Sequence, residues 1–207
     1  MNDNLRLGDC FIDVGAHVGE YSLIAADTIG PTGSILALEP QQDLCEVISG
    51  NFRDNGLANA RVIHGALGER CGHCHLATDD RTKGAVLELN SPAADVPMWD
   101  LATLLGETRS EGTTWIKLDA AGYELPCLIA AREYLELHPP CFILKAYNPR
   151  EVRNRFPEIK ATLPEFLDSL NYRTFRLTEN FLTPWDGVVR GYGEAILCFP
   201  HGHPGPA

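Results

Sequence analysis

The sequence predicts an α/β fold, one mainly parallel sheet with helices on both faces. Three observations predict it. Apolar runs of strand length alternate with segments of helical period along most of the chain. The first run, Cys10–Val14, breaks at Gly15 and Gly19 directly into a helix. Polar or small residues (Asp13 to Gly15, Glu39, Gly65 with Ala66, and Asp119) fall at the carboxyl ends of four strands, the edge where such sheets bind ligands.

Taken in order, Cys10 to Val14 is an apolar strand carrying one acid, Asp13. Tyr21, Leu23, Ile24, Ala25 and Ile29 then keep helical spacing. Ser34 to Leu38 is the second strand, closed by Glu39 and Pro40. Asp43 to Asn55, with Leu44, Val47, Ile48 and Phe52 on one side, is a helix stopped by Asn55-Gly56. Arg61 to Leu67 is the third strand. Residues 68–96 lack a helical period and suit a hairpin or irregular insertion, followed by Met98 to Gly106 as a short helix or a strand and helix. Thr114 to Asp119 is the next strand. It passes through Ala120-Ala121-Gly122 into a helix over Tyr123 to Leu137, with Pro126 in its first turn. His138-Pro139-Pro140 ends that helix before the strand Cys141 to Ala146. Residues 147–161 are polar and proline-marked, which predicts a loop. A helix over Leu163 to Leu170, a strand over Arg173 to Leu177 and a last strand over Glu194 to Phe199 complete a single domain over 1–200. The tail from His201 is expected to be disordered.

Size and charge narrow the function classes. The 207 residues suffice for one sizeable core, and 44% hydrophobic with 22% charged content is ordinary for a globular protein. A net charge of −11 argues against a nucleic-acid partner, which needs a basic face. The polar start resembles no signal peptide and no apolar run reaches membrane-spanning length, so a soluble cytoplasmic protein away from membranes is expected. Seven scattered cysteines read as small buried hydrophobes rather than disulfides.

The glycine turn departs from the dinucleotide fingerprint. It reads G-x-x-x-G, with His17 where a pyrophosphate would need bare backbone. Asp13, two residues ahead of Gly15, suits a ligand with a cationic end. Glu39, twenty positions after Gly19, suits the hydroxyls of a ribose. S-adenosylmethionine joins a ribose to a sulfonium and an ammonium without phosphate, and His17 in the loop disfavours an NAD-dependent enzyme.

Asp13 to Gly19, Leu38-Glu39-Pro40, Asn51, Gly65 to Gly68, and Ile116 to Asp119 with Gly122 to Leu125 resemble the FkbM family of S-adenosylmethionine-dependent methyltransferases, in order and spacing from about Asp9 to Ala146. The resemblance implies a Rossmann-like class I methyltransferase fold with a seven-stranded sheet ordered 3-2-1-4-5-7-6, strand 7 antiparallel. It also implies O-methylation of a hydroxyl on a small molecule, sugar or natural-product intermediate. Asp13, Gly15, Ala16 and Gly19 would then shape the methionine end of the cofactor. Glu39, beside Pro40, would take the ribose, and Gly65, Ala66 and Leu67 would lie near the adenine. Asp119 would face the transferred methyl. Ala121 stands where the family usually has an acid, and Lys145 where the fifth strand usually ends in glutamate.

A hydroxyl acceptor must lose its proton to a side chain within hydrogen-bond reach. Asp119 is the best-placed base by spacing, with His17 and Lys145 next. The plainer alternatives are a backbone-bonded loop histidine and a lysine in an ion pair. Cys71-Gly72-His73-Cys74-His75 matches C-x-x-C-H but has no second ligand pair nearby, so an incidental hairpin and no metal are expected. Trp185 and the segment from Tyr147 to Arg150 could form the acceptor rim. A non-catalytic S-adenosylmethionine-binding domain within a larger assembly is the alternative, favoured by the replaced acids and the short stretch before the first strand. A homodimer could supply cover over the acceptor.

Overall fold

The computed structural model describes residues 4–79, 84–89, 91–93, 95–108, 111–178, 181–190 and 193–205. The first half of the chain forms β1 (Cys10–Val14), α1 (Glu20–Ile29), β2 (Ser34–Glu39), α2 (Gln42–Asp54), β3 (Ala60–His64) and β4 (Ala66–Gly68). Then come β5 (Gly72–Asp79), β6 (Gly84–Leu89), β7 (Val96–Asp100), α3 (Leu101–Gly106) and β8 (Thr114–Leu118). The remainder forms α4 (Glu124–Ala130), α5 (Arg132–Leu137), β9 (Cys141–Ala146), α6 (Pro149–Arg155), α7 (Leu163–Ser169), β10 (Tyr172–Leu177), β11 (Leu182–Pro184) and β12 (Glu194–Pro200).

The main sheet runs β3-β2-β1-β8-β9-β12-β10, with β12 antiparallel to both neighbours. This is the expected order and class. It carries an eighth strand because β11 folds back on Phe175–Leu177 as an edge hairpin. Strand alternation divides the core into two layers. Cys10, Ile12, Val14, Ile116, Leu118 and Phe142 pack with α3, α4 and α7 on one face. Phe11, Ile35, Ala37, Trp115, Ile143 and Phe199 pack with α1 and α2 on the other. The parallel strands β1 and β8 sit at the centre, so their carboxyl ends open on one edge.

The third strand is split. Gly65 donates its N–H to Glu39 O at 3.0 Å, and a Cβ there would meet the Trp99 ring and Pro97 O within 2.9 Å. The chain therefore leaves the main sheet, and β4 enters a second sheet ordered β4-β7-β5-β6, built from the expected hairpin region. The helix expected over Tyr123 to Leu137 is bent at Ala131, whose ψ of 7° ends α4 and starts α5. Hydrophobic period does not reveal this bend, because Leu128, Ala131 and Leu135 keep their spacing across it. The loop expected over 147–161 contains α6, started by Pro149 and by Asn148, whose side chain accepts the Arg150 N–H.

The segment expected to be disordered after Pro200 lies on the sheet through Gly205. His203 stacks on Phe199 with centroids 5.2 Å apart and meets Trp115 edge-on. Among the described residues, no helix is long and apolar enough to cross a membrane.

Candidate functional site

Asp13 and Lys117 stand opposite each other in register across β1 and β8. Both belong to the layer covered by α1, because they alternate with residues of the other layer. Asp13 is fully buried. Its Oδ2 accepts the Ser22 N–H at 3.2 Å and the Ser22 hydroxyl at 2.8 Å, which places a carboxylate on the first turn of α1, where the helix dipole favours negative charge. Lys117 Nζ lies 3.2 Å from Asp13 Oδ1 and donates to the carbonyls of Gly15 (2.7 Å) and Val14 (3.2 Å). The acid that the sequence assigned to a cationic ligand thus meets an internal cation, and it shapes the site from beneath.

The glycine turn is held from every side. Gly15 and Ala16 donate their N–H groups to Leu38 O, Gly19 donates to Ala16 O, and His17 donates to Glu39 Oε2 at 2.8 Å. These four amides are therefore committed within the protein and do not serve a pyrophosphate as the amides of dinucleotide loops do. Gly15 has φ +68°, and a Cβ there would lie 2.2 Å from Asp119 O. The glycine is required because β1 and β8 approach this closely where they leave the sheet. Gly19, at φ +81°, is packed against Ile48 of α2. The exposed His17 itself adopts φ +54°. Asn51 donates to Val18 O at 2.8 Å and ties the turn to α2.

Glu39 is buried, and its two oxygens accept N–H groups from His17 and Gln41. Burial pushes its carboxyl above the usual range, against the pull of those two bonds. In this arrangement Glu39 braces the glycine turn, and Pro40 beside it reaches a cavity wall.

Two cavities meet at Gly15 and Asp119. One, of about 250 Å³, is lined by Ala16, His17, Tyr21, Lys117, Lys145 and Gly193 among others. The second, of about 70 Å³, is lined by Pro40, Gly65, Ala66, Leu67, Ala120 and Ala121 among others. The structure therefore gathers the predicted residues of three strand ends around one cleft, with Asp13, Gly19 and Glu39 beneath it. Asp119 Oδ2 accepts Lys145 Nζ at 2.8 Å and Oδ1 accepts the Tyr147 hydroxyl at 3.1 Å, so Lys145 is the partner of an acid.

Sequence reasoning missed three residues. Lys117 would have been found only through strand register. Tyr147 follows Lys145 by two positions, the spacing that keeps a strand face, and the sequence places it only at the acceptor rim. Glu124 is almost fully buried, and its Oε1 accepts the N–H groups of Ala120 (2.7 Å) and Gly122 (3.3 Å). Burial, opposed by those bonds and aided by the Asp119 charge, pushes its carboxyl up to about 7. It borders a small apolar pocket with Leu125, Tyr147, Val152 and Phe156.

The cysteine–histidine cluster lies at the start of β5. Cys71 donates to Asp100, His75 contacts Ala93 O, and no group of three or more metal-binding side chains occurs among the described residues.

The sheet order and a cleft centred on the first and fourth strands of the parallel set define a protein of the class I methyltransferase architecture. The chain matches the methyltransferase FkbM domain over residues 13–176, and it belongs to that family. The solved methyltransferase FkbM from Methylobacillus flagellatus superposes with a TM-score of 0.53 at 17% identity, covering 95% of this chain and 44% of that one. This chain thus spans less than half the length of that relative. Fibrillarin from Aeropyrum pernix, solved with natively bound S-adenosyl-L-methionine, superposes at 0.51 with 16% identity over 94% of this chain and 67% of that one. At such identities these likenesses are of fold. No curated protein matches the chain in sequence.

Proposed function

We propose that this protein transfers a methyl group from S-adenosylmethionine to a hydroxyl of a small molecule. The observation that carries the reading is the pair of cavities joined at Gly15 and Asp119, at the carboxyl edge of a family-typical sheet. The cleft fits the cofactor in chemical kind. Committed loop amides suit a phosphate-free ligand, the smaller apolar cavity suits an adenine beside Gly65, Ala66 and Leu67, and the larger polar one suits an amino-acid end beside Ala16 and His17.

When bound, the cofactor supplies an electrophilic methyl on a sulfonium. The chain's part is positioning, since displacement needs the reacting atoms within about 3–3.5 Å and in line. Asp119 stands where the two cavities join, with Lys145 and Tyr147 fixing both its oxygens. It is the proton acceptor in this reading, and its two donors orient it. His17, in the wall of the larger cavity, is the second candidate.

The alternative is a domain that binds the cofactor without turnover. It is favoured by the same two bonds to Asp119, because Lys145 and Tyr147 already occupy both its oxygens, one of which must be freed to take an acceptor's proton. Incubation with S-adenosylmethionine and a panel of hydroxylated small molecules separates the two. Release of S-adenosylhomocysteine that depends on one acceptor supports transfer, and binding with no release by any acceptor supports the alternative.

A further inference from the structure

We infer that Lys117 is a positioning residue for the amino-acid end of the cofactor, holding the glycine turn in its binding shape through the carbonyls of Val14 and Gly15. The inference rests on the cofactor reading above. His17 occupies the left-handed region, which a residue other than glycine keeps only where its surroundings over-determine it. Glu39 and Asn51 fix the turn from the α2 side through His17 N–H and Val18 O. On the β8 side Lys117 Nζ donates to Gly15 O at 2.7 Å and to Val14 O at 3.2 Å, the latter carbonyl shared with the Asp119 N–H.

Stability alone does not explain a lysine here. Its face is flanked by Trp115 and Ile143, and it is itself 8% exposed. Replacing a buried ion pair by apolar side chains of similar volume is often neutral or stabilising. The pair instead lies directly beneath the turn. Lys117 lines the larger cavity and not the one assigned to adenine, although the Val14 and Gly15 that it holds border the smaller one, so its effect should fall more heavily on the amino-acid end of the ligand.

The test uses Lys117→Met and the double variant Asp13→Asn/Lys117→Met, which leaves no buried charge unpaired. Calorimetry measures affinity for S-adenosylhomocysteine and for 5′-methylthioadenosine, which has the adenosine and sulfur but no amino-acid end. The double variant is expected to lose about tenfold or more for the first ligand and less than about threefold for the second. Equal weakening of both ligands, or unchanged binding of the first, overturns the inference. Amide exchange in the ligand-free protein decides it separately. Exchange at Ala16 and Gly19 should quicken in the variant while Ile12 and Ile116 stay protected, and unchanged exchange at the turn overturns the positioning role. A wild-type protein that binds neither ligand refutes the cofactor reading, and the exchange result then stands on the turn alone.

Discussion

Replacing Glu124 by Gln should make the protein more stable at pH 8 and change it by less than about 1 kcal/mol at pH 5. The wild-type carboxyl is almost fully buried and titrates at about 7, against an ordinary 4.5. Between those values the native state keeps a proton that the unfolded chain has released, so stability falls as pH rises. The contribution is fully present below the unfolded value and is lost on passing the folded one. A shift of this size, at about 1.4 kcal/mol per unit, corresponds to roughly 3 kcal/mol. Gln keeps an oxygen to accept the Ala120 and Gly122 N–H groups and has no proton to lose. Urea unfolding of both proteins at pH 5 and pH 8 provides the assay. Subtracting variant from wild type at each pH cancels other titrating groups, including Glu39. The difference should change by roughly 2 to 3 kcal/mol between the two pH values, because at pH 5 the unfolded chain has already released part of its proton. A difference that stays constant within about 0.5 kcal/mol would show that Glu124 is not held in a desolvated site.

Two further substitutions bear on the cleft. Gly15→Ala places a Cβ 2.2 Å from Asp119 O at a left-handed φ, so it should cost at least about 2 kcal/mol in urea unfolding and weaken S-adenosylhomocysteine binding. Wild-type stability would mean that β1 and β8 are not so close. Asp119→Asn should bind S-adenosylhomocysteine within about threefold of wild type yet lower methyl transfer by about 10² or more, measured as product release. Full turnover would exclude Asp119 as the proton acceptor.

Much of this architecture is legible in the sequence because its signals are local. The strand, glycine turn and helix at 10–29 show in composition and period, and so do the acids at the strand ends. Features that depend on distant partners are not legible. Asp13 looks available to a ligand until β1–β8 register brings Lys117 opposite it. Glu39 looks like a ribose acid, yet the fold first uses its oxygens on His17 and Gln41. The bend at Ala131 leaves apolar spacing intact. The short helix at Pro149 was hidden by the polarity of its residues, although Asn148-Pro149 is itself a start signal. The tail through Gly205 rests on His203, which stacks on Phe199 nearby and meets Trp115, and Trp115 lies far away in the chain.

The most direct test is a crystal structure of this protein grown with S-adenosylhomocysteine. The adenine should lie against Gly65, Ala66 and Leu67, and the amino-acid end against Ala16 and His17, with the sulfur near Asp119. Density for the ligand elsewhere, or a cleft that admits only a pyrophosphate-bearing nucleotide, would contradict the account.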